Sequence, residues 1–354
     1  MAAPCAEPSV GAMTASVPEE RANKEPSGAC LTDERGALDN TGFATAVLTA
    51  AAALAAAGLG TGEVLPLEPA PRIEFVTAMF AAWRLGAAVR LGRARTLPVT
   101  GAALILPGGV VLDQLNLDQA ADSLADWYRM DRDTVSWSGA DHLVPGIIAP
   151  LLAGGSVVLS DRVGHDRFWP AVERAQPTYF AAGPRLCAAL LSRPGGPPSS
   201  LRYVMSPAAP LPAALSAAFE QRYGVPVVDG FGPDECAGCG TANPPYGIRK
   251  PGTAGLPLPG VDVAIADGRG RLLPSGVSGE VVMRGPAVMR GYLGRPAETA
   301  RALRAGWLHT GTAGRFDQDG YLVLGASAGS ASARSGSARR GSASSGSASS
   351  ARAS

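Results

Sequence analysis

The sequence predicts an α/β fold of layered, parallel-rich sheets with helices, followed by a C-terminal antiparallel β subdomain and flanked by disordered termini. Two patterns support this fold class. From Pro26 onward, apolar helices alternate with short apolar strands, which is typical of parallel sheets connected by helices. After Gly255 the apolar period changes to two residues, as at Val261, Val263 and Ile265, and this period indicates antiparallel strands.

A helix is predicted over the uncharged stretch 43–59. Alanine dominates this stretch and is the best helix former, Asn40 or Thr41 can cap its start, and Gly58 or Gly60 can end it. Its 17 residues lie at the short edge of the membrane-spanning range, and alanine is a weak membrane anchor. We therefore predict a packed helix of a globular protein and no membrane span.

Helices and strands continue to alternate after this point. Apolar residues at spacings of 3, 4 and 3 over 73–83 predict a helix with one apolar face. The apolar run 102–106, which precedes the turn residues 107–109, predicts a buried strand that ends in a turn. A helix over 117–129 and a strand over 156–159 are expected next.

The clearest unit is a strand–helix–strand segment. A strand over 202–205 precedes a helix that Pro212 starts and Gly224 ends, and a strand over 226–228 follows. The second strand leads into the glycine-flanked loop 230–238, GFGPDECAG. Loops at the carboxyl ends of such strands are where α/β sheets hold ligands.

Composition divides the chain into one large domain, 27–325, and two disordered ends. The segment 1–26 has scattered prolines and charges and lacks the apolar core of a signal peptide. The tail 326–354 contains only Ala, Ser, Gly and Arg and cannot bury a core. Within the domain, 280–284 and 321–324 are predicted as further strands.

Charge and cysteine content exclude several classes of function. Lys and Arg total 31 against 30 Asp and Glu, and this balance gives no electrostatic basis for nucleic-acid binding. Five unevenly spaced cysteines do not form a secreted disulfide framework, so a cytoplasmic location is expected. Cys236 and Cys239 make a lone CxxC without a second pair or a suitably spaced histidine, and a redox or zinc module stays the minor alternative.

Four motifs follow one another between residues 31 and 325. They are GFGPDE at 230–235, RKPGTAGLPLPGVDV at 249–263, GEVVMRGPAVMRGY at 279–292 and WLHTGTAGRFDQDGYL at 307–322. With these motifs, residues 31–325 resemble the large N-terminal domain of the AMP-forming acyl-CoA synthetases of the adenylate-forming superfamily. The first, third and fourth motifs are similar to the family's G-Y-G-x-T-E, G-E-L-x-x-R-G-x-x-V-M-x-G-Y and W-x-x-T-G-D-x-G-x-x-D-x-D-G-Y, and the second fits the connecting segment.

The resemblance implies a reaction and its ligands. Family members join a carboxylic acid to ATP, release pyrophosphate, and pass the acyl-adenylate to the thiol of CoA. It therefore implies Mg²⁺, ATP or AMP, and CoA as ligands and a small carboxylic acid as substrate. Residues 241–252 are reminiscent of fatty-acid members, but the identity of the acid stays open.

Several residues match the family's nucleotide site. By resemblance, Phe231 replaces the tyrosine that stacks on adenine, and its ring face is retained. Glu235 fits the catalytic glutamate that holds magnesium, a cation that prefers carboxylate and phosphate oxygens. Asp229 and the 206–210 loop would line the base. The nucleotide-binding positions implied in this way are Ala208, Ala209, Asp229, Gly230, Phe231, Gly232, Asp234 and Thr312.

Other positions depart from the family pattern. Only Pro107-Gly108-Gly109 stands where the family has a Ser/Thr/Gly-rich phosphate loop with a lysine, so that loop is interpreted as deleted. Thr312 replaces the aspartate that grips both ribose hydroxyls, and one hydroxyl cannot do the same. Asp234 replaces a threonine beside the α-phosphate and should repel it.

These departures lead to two functional hypotheses. After Gly325 the family continues into a lid domain, whereas this chain continues into its Ser/Ala/Gly/Arg tail, so a partner protein would have to supply a lid. We expect an acyl-CoA synthetase-like scaffold whose activity is absent or much reduced. A non-catalytic homologue that binds an acyl chain, an adenylate or a protein is the alternative. His142 lies near the family's acyl-pocket segment, and substrate contact and a capping or solvated role both stay open for it.

Overall fold

The computed structural model describes residues 14–92, 98–140, 142–161, 167–207 and 210–325. The predicted nucleotide-binding positions Ala208 and Ala209 lie outside the described residues, as do residues 1–13 of the segment 1–26 and the whole tail 326–354. Within the described ranges, no helix is long and apolar enough to cross a membrane.

The elements are numbered in chain order. The helices of the described residues are α1 Val17–Lys24, α2 Asn40–Ala56, α3 Ile73–Arg84, α4 Gln114–Tyr128, α5 Ala149–Leu152, α6 Phe168–Ala175, α7 Pro184–Leu191, α8 Ala213–Tyr223 and α9 Pro296–Ala302. The strands are β1 Ala29–Asp33, β2 Gly36–Asp39, β3 Val64–Leu67, β4 Ala88–Leu91, β5 Leu104–Ile105, β6 Val110–Leu112, β7 Val135–Ser138, β8 Ser156–Leu159, β9 Tyr179–Ala181, β10 Tyr203–Ser206, β11 Val227–Phe231, β12 Thr241–Ala242, β13 Leu256–Pro257, β14 Asp262–Ala266, β15 Gly279–Arg284, β16 Gly291–Tyr292, β17 Leu303–Arg304, β18 Trp307–Phe316 and β19 Leu322–Leu324.

Three sheets form the layers of the molecule. The largest has the order β13-β12-β11-β10-β9-β7-β8-β1-β2, with parallel pairs from β11 to β1 and antiparallel pairs at both edges. A second sheet has the order β16-β6-β5-β4-β3, and the third, β14-β15-β18-β17 with β19 on β18, is antiparallel. The predicted fold class is therefore confirmed.

The predicted strand–helix–strand unit is present as β10, α8 and β11. Val204 pairs in parallel with Val227, and Gly224 ends α8 in the left-handed conformation. The second strand is longer than predicted, because Gly230 and Phe231 pair with β12 and belong to β11 instead of the following loop. This pairing with an antiparallel edge strand could not be read from the local sequence.

The N-terminal segment departs from the expectation of disorder. Residues 17–24, which fall in the segment 1–26, form α1. Pro18 stands in the first turn, Glu19 and Glu20 follow it, and basic residues occupy the last turn, an arrangement that stabilises a helix. The buried Arg21 guanidinium fixes α1 to the domain by donating to Asn40 Oδ1 at 2.8 Å and to the Leu151 carbonyl at 2.7 Å.

Helix α2 begins at Asn40, and its N-cap lies one residue before the first proposed cap. Asp39, with extended backbone, is the N-cap, and its carboxylate accepts from the Gly42 N–H at 2.7 Å. The expected caps, Asn40 and Thr41, are therefore already helical residues. Gly58 follows the end of the helix with φ +92°, as predicted for a terminating glycine.

The hydrophobic core occupies both faces of the largest sheet. On β10, Tyr203 and Met205 pack into the main cluster, whereas Val204 packs into a second cluster around Phe180 and Phe219. Side chains of a strand alternate between faces, so one strand supports both clusters. The main cluster also includes residues of the other two sheets and holds the three layers together.

Candidate functional site

The end of β11 carries the first group of predicted site residues. Asp229 is 1% exposed, and its Oδ1 accepts from the Leu211 N–H at 2.8 Å. Burial raises the pKa of Asp229 to about 6, and the Glu220 charge adds to this effect while the Leu211 hydrogen bond opposes it. The carboxylate thus anchors the segment that leads into α8. Phe231, two residues on, is also buried.

Two glycines of the β11 end allow backbone segments to approach closely. A Cβ atom at Gly232 would overlap the Gly238 carbonyl, and one at Gly230 would lie 2.7 Å from the Thr241 carbonyl oxygen. The Gly232 N–H also donates to the Pro207 carbonyl at 3.1 Å. The loop after β11 is therefore folded back on itself and joined to the loop after β10.

Glu235 lies in the single helical turn 234–236 and is held from outside that turn. Its carbonyl accepts from the Met289 N–H at 2.8 Å, and its Oε1 accepts from the Tyr292 hydroxyl at 2.7 Å. The side chain of Glu235 is half-buried. Burial and the Glu235 carboxylate raise the pKa of Tyr292 far above its usual range, so the phenol is a hydrogen-bond donor at neutral pH.

Asp234 and His142 complete the polar surroundings of Glu235. Part of the Asp234 side chain reaches solvent, but the surrounding protein removes enough water to raise the pKa of its carboxyl group. The charge of Glu235 adds to this rise, and His142 opposes it. The structure thus brings His142 and Asp234 within electrostatic range of each other. The carbonyl of His142 accepts from the Gly146 N–H at 2.8 Å as the chain enters the wide helical turn 144–148.

The segment between β5 and β6 is a tight hairpin turn. Leu106 N–H donates to the Val110 carbonyl at 3.0 Å, and Gly109 N–H donates to the Leu106 carbonyl at 2.8 Å. Gly109 has φ +82°, which matches a three-residue hairpin loop with a bulge. Pro107 has no N–H, so within the described residues 106–109 only the amide of Gly108 is not used by the turn itself.

The residues around Glu235 fit a magnesium ion that arrives with a nucleotide. In the described part of the chain, no group of three or more His, Cys, Asp or Glu side chains could hold a metal ion, so a magnesium ion would need ligands from the nucleotide phosphates and water as well. The Tyr292 hydrogen bond uses Oε1 of Glu235, so Oε2 would be the oxygen available to a cation. Magnesium is commonly bound by one or two carboxylates together with substrate phosphates and water, and this donor set meets that pattern.

Thr312 stands in a bulge of β18. Between the pairs Glu280–Ala313 and Val282–His309, β18 contains two more residues than β15. The Glu280 carboxylate supports the bulge by accepting from the Gly311 N–H at 2.9 Å and by contacting His309 Nδ1 at 2.8 Å. The half-buried Thr312 is therefore presented by a fixed backbone.

The CxxC pair is part of the core. Cys236 and Cys239 are fully buried free thiols. Burial raises the pKa of Cys239 to about 11, and the Ser123 hydroxyl, 3.3 Å from its sulfur, opposes the rise. Thiols with raised pKa values are poor nucleophiles and poor metal ligands. The geometry gives no support to the redox or zinc alternative.

A cavity of about 890 Å³ lies away from the residues described above. It is formed by α1, α4, the turn after α5 and the loop before β14, and both acidic and basic side chains line it. Phe231, Glu235 and Thr312 do not line this cavity. Its size therefore does not identify it as the nucleotide site.

The prediction missed two residues that shape the site. Tyr292 contacts Glu235, and Asn116 at the start of α4 binds the loop that precedes Tyr292. Tyr292 ends the motif GEVVMRGPAVMRGY, whereas Asn116 lies outside the four motifs that carry the resemblance. The motif position of Tyr292 was an available signal, but a motif does not tell which side chains meet.

The chain is similar to known proteins over most of this region. Residues 106–293 match the family described as AMP-binding enzyme. The sequence of this chain is 32% identical to an oxalate–CoA ligase of Arabidopsis thaliana, 35% identical to a sulfoacetate–CoA ligase of Cupriavidus necator and 31% identical to a long-chain-fatty-acid–CoA ligase of Bacillus subtilis over the aligned residues. These alignments cover 62–64% of this chain and 43–45% of the relatives, so the chain spans less than half the length of these relatives.

Solved structures show the same fold at lower sequence identity. VinN superposes with a TM-score of 0.79 at 22% identity, covering 89% of this chain and 99% of that one. O-Succinylbenzoate CoA synthetase of Bacillus subtilis, solved in complex with AMP, gives 0.78 at 20% identity and covers 87% of this chain and 78% of its own.

Proposed function

Because the chain belongs to the AMP-binding enzyme family, we propose that it is an acyl-CoA ligase-like scaffold that binds an adenylate and a carboxylic acid but handles ATP poorly. The ancestral reaction converts an acid, ATP and CoA to acyl-CoA, AMP and pyrophosphate. The chain spans less than half the length of its curated relatives, so its activity is a proposal made for the described domain alone.

The half of the site that would receive AMP keeps part of its chemistry, although Thr312 and Asp234 depart from the family pattern there. Phe231 would offer its ring to adenine, and Thr312 would offer one hydroxyl to the ribose. Glu235, already oriented by Tyr292, would hold magnesium, which when bound neutralises phosphate charge. His142, on the side of Asp234, is the candidate contact for the carboxylic acid.

The observation that carries the proposal of weak ATP use is the closed turn between β5 and β6. A triphosphate cradle needs several free amides and a cation, and this turn keeps a single amide outside its own hydrogen bonds. Losing one preorganised donor costs about 10²–10³ in rate, so several losses reduce adenylate formation severely. The Asp234 carboxylate adds repulsion beside the α-phosphate.

Further parts of the proposal concern partners and location. A partner protein could contribute a lid, and CoA would attack an adenylate formed or delivered at this site. The cysteines of the described residues are free thiols, which favours a cytoplasmic location. Fatty acids are the first acids to test, because one relative acts on long-chain fatty acids and residues 241–252 are reminiscent of such members.

Turnover and binding together test the proposal. We expect purified protein to bind AMP with magnesium and to release pyrophosphate from ATP and a panel of fatty, aromatic and dicarboxylic acids far below the 1–10³ s⁻¹ of ordinary enzymes. Pyrophosphate release at ordinary rates would contradict the proposal. Binding of AMP with no release at all would favour the non-catalytic homologue, a pseudoenzyme that binds adenylates.

A further inference from the structure

Asn116 links the start of α4 to the 285–289 loop, which runs from Gly285 to Met289. The Asn116 side chain and Asp113 form a reciprocal cap: Asp113 N–H donates to Asn116 Oδ1 at 2.8 Å, and Asn116 N–H donates to Asp113 Oδ1 at 2.9 Å. Asn116 Nδ2 then donates to the Pro286 carbonyl at 2.7 Å and the Val288 carbonyl at 2.9 Å. The buried Asn116 side chain thus accepts a hydrogen bond from the cap through its oxygen and donates to the 285–289 loop through its nitrogen.

The 285–289 loop, which Asn116 holds, in turn contacts Glu235. Val288 N–H donates to the Gly285 carbonyl at 3.1 Å, which makes the loop a turn, and Met289 N–H donates to the Glu235 carbonyl at 2.8 Å. The Met289 side chain is buried in the main core. The backbone position of Glu235 therefore depends on a helix start that lies more than a hundred residues earlier in the chain.

Tyr292 fixes the side chain of the same residue. β16 places Tyr292 opposite Val110 on β6, and the Tyr292 N–H donates to Thr299 Oγ1 of α9 at 2.9 Å. The phenol, held in this way at its backbone, donates to Glu235 Oε1 at 2.7 Å. A hydrogen bond to a charged carboxylate is stronger than one between neutral groups and restricts its rotation.

We propose that Asn116 and Tyr292 are positioning residues for Glu235, one holding its backbone and the other its carboxylate. Both residues act through Glu235 in this proposal. Together they direct Oε2 of Glu235 toward the cation that accompanies the nucleotide phosphates. This inference rests on the proposed function for the role of Glu235 as magnesium ligand, whereas the bracing itself stands on the contacts of the chain.

The first test replaces Asn116 by aspartate. Asn116→Asp keeps the acceptor for the Asp113 N–H, but it replaces the donor that faces the Pro286 and Val288 carbonyls with an oxygen. In the protein without nucleotide, we expect hydrogen exchange of the Met289 amide to accelerate by at least about tenfold. Gln119→Glu, the same chemical change elsewhere on α4, should leave that exchange rate unchanged.

The second test removes a hydroxyl. Tyr292→Phe keeps the ring and loses only the bond to Glu235. Titration of Mn²⁺ with AMP, followed by the electron paramagnetic resonance of free Mn²⁺, should show a half-saturating concentration about tenfold above that of the wild type. The matched control is Tyr223→Phe, whose hydroxyl donates to the Leu190 carbonyl in α7, and it should bind Mn²⁺ like the wild type.

The two tests separate failure of the inference from failure of the proposed function. If the wild type binds no AMP or ATP, the proposed function fails, while the exchange of the Met289 amide still decides whether Asn116 braces Glu235. Unchanged exchange in Asn116→Asp overturns the inference. In a wild type that binds nucleotide, unchanged Mn²⁺ binding in Tyr292→Phe also overturns it.

Discussion

The end of β11 and the turn between β5 and β6 are the two regions of the proposed nucleotide site, and they are built in opposite ways. At the end of β11, Glu235 is held by Met289 and Tyr292, which come from distant segments. In the turn 106–109, the amides bond to their own neighbours. The first region keeps a charged ligand available, whereas the second consumes the donors that a triphosphate needs. Under the proposed function, the first region would serve the metal and the adenylate, and the second would bind the β- and γ-phosphates weakly.

A pair of glycine substitutions should give the largest difference between the two regions. Gly232→Ala places a Cβ atom against the Gly238 carbonyl, and we expect a loss of about 3 kcal/mol in the free energy of unfolding. Gly108→Ala meets no atom within 4 Å, and we expect a change within about 0.5 kcal/mol. Urea unfolding of both variants measures this. Equal effects would show that the β11 end is not the tightly packed region.

Glu235→Gln should separate metal binding from folding. Glutamine can still accept from the Tyr292 hydroxyl, so the melting temperature without ligand should stay near that of the wild type. The Mg²⁺ concentration for half-maximal AMP binding should rise by more than about tenfold, because the charged ligand is lost. Calorimetric titration of AMP at several Mg²⁺ concentrations measures it. An unchanged Mg²⁺ requirement would remove Glu235 from the metal site.

The buried Asp229 predicts a pH dependence of stability at the β11 end. The pKa of Asp229 is raised to about 6 in the folded chain, against about 3.9 in unfolded chains, so the folded state binds the proton more tightly. Its contribution to stability therefore falls as the pH rises from about 4 to about 6. Relative to the wild type, Asp229→Asn should gain about 2 kcal/mol between pH 4 and pH 7. Parallel pH profiles of thermal unfolding would contradict this.

Much of the architecture could be predicted because its signals are local. The period-two pattern of β14 and the Pro212 and Gly224 limits of α8 depend on residues close in sequence. The Glu235 loop was found because a contiguous motif carries it. The cap of α2 was missed by one residue, because Asp39 and Asn40 are equally good caps and only the backbone angles decide between them.

The unpredicted features depend on contacts between distant segments. Asn116 meets the Pro286 carbonyl across 170 residues, and no local pattern encodes that meeting. The resemblance predicts that Asp229 lines the base, and this stays a prediction, but the sequence did not show that its buried carboxylate accepts from the Leu211 amide. Helix α1 was missed because the prolines and charges of the segment 1–26 indicated disorder, although the buried Arg21 makes tertiary hydrogen bonds that fix the helix.

The smallest expected effect concerns the ribose position. Thr312→Asp would place a carboxylate in the supported bulge of β18, where it could accept from both ribose hydroxyls. We expect AMP affinity to increase about threefold, since charge-assisted hydrogen bonds exceed neutral ones by that order. Thr310 should be left intact, because its hydroxyl donates to the Val281 carbonyl and supports the bulge. A weaker affinity for AMP in Thr312→Asp would place the ribose elsewhere.

The dissociation constants of AMP and ATP, measured on the same protein with saturating Mg²⁺, test most directly whether the phosphate half of the site is closed. The turn 106–109 has almost no free donors, so the β- and γ-phosphates should add little binding energy. We predict that ATP binds no more than about threefold more tightly than AMP. That difference in binding free energy is well below the 1.4 kcal/mol that corresponds to about tenfold. ATP binding that is tenfold or more tighter than AMP binding would contradict the account.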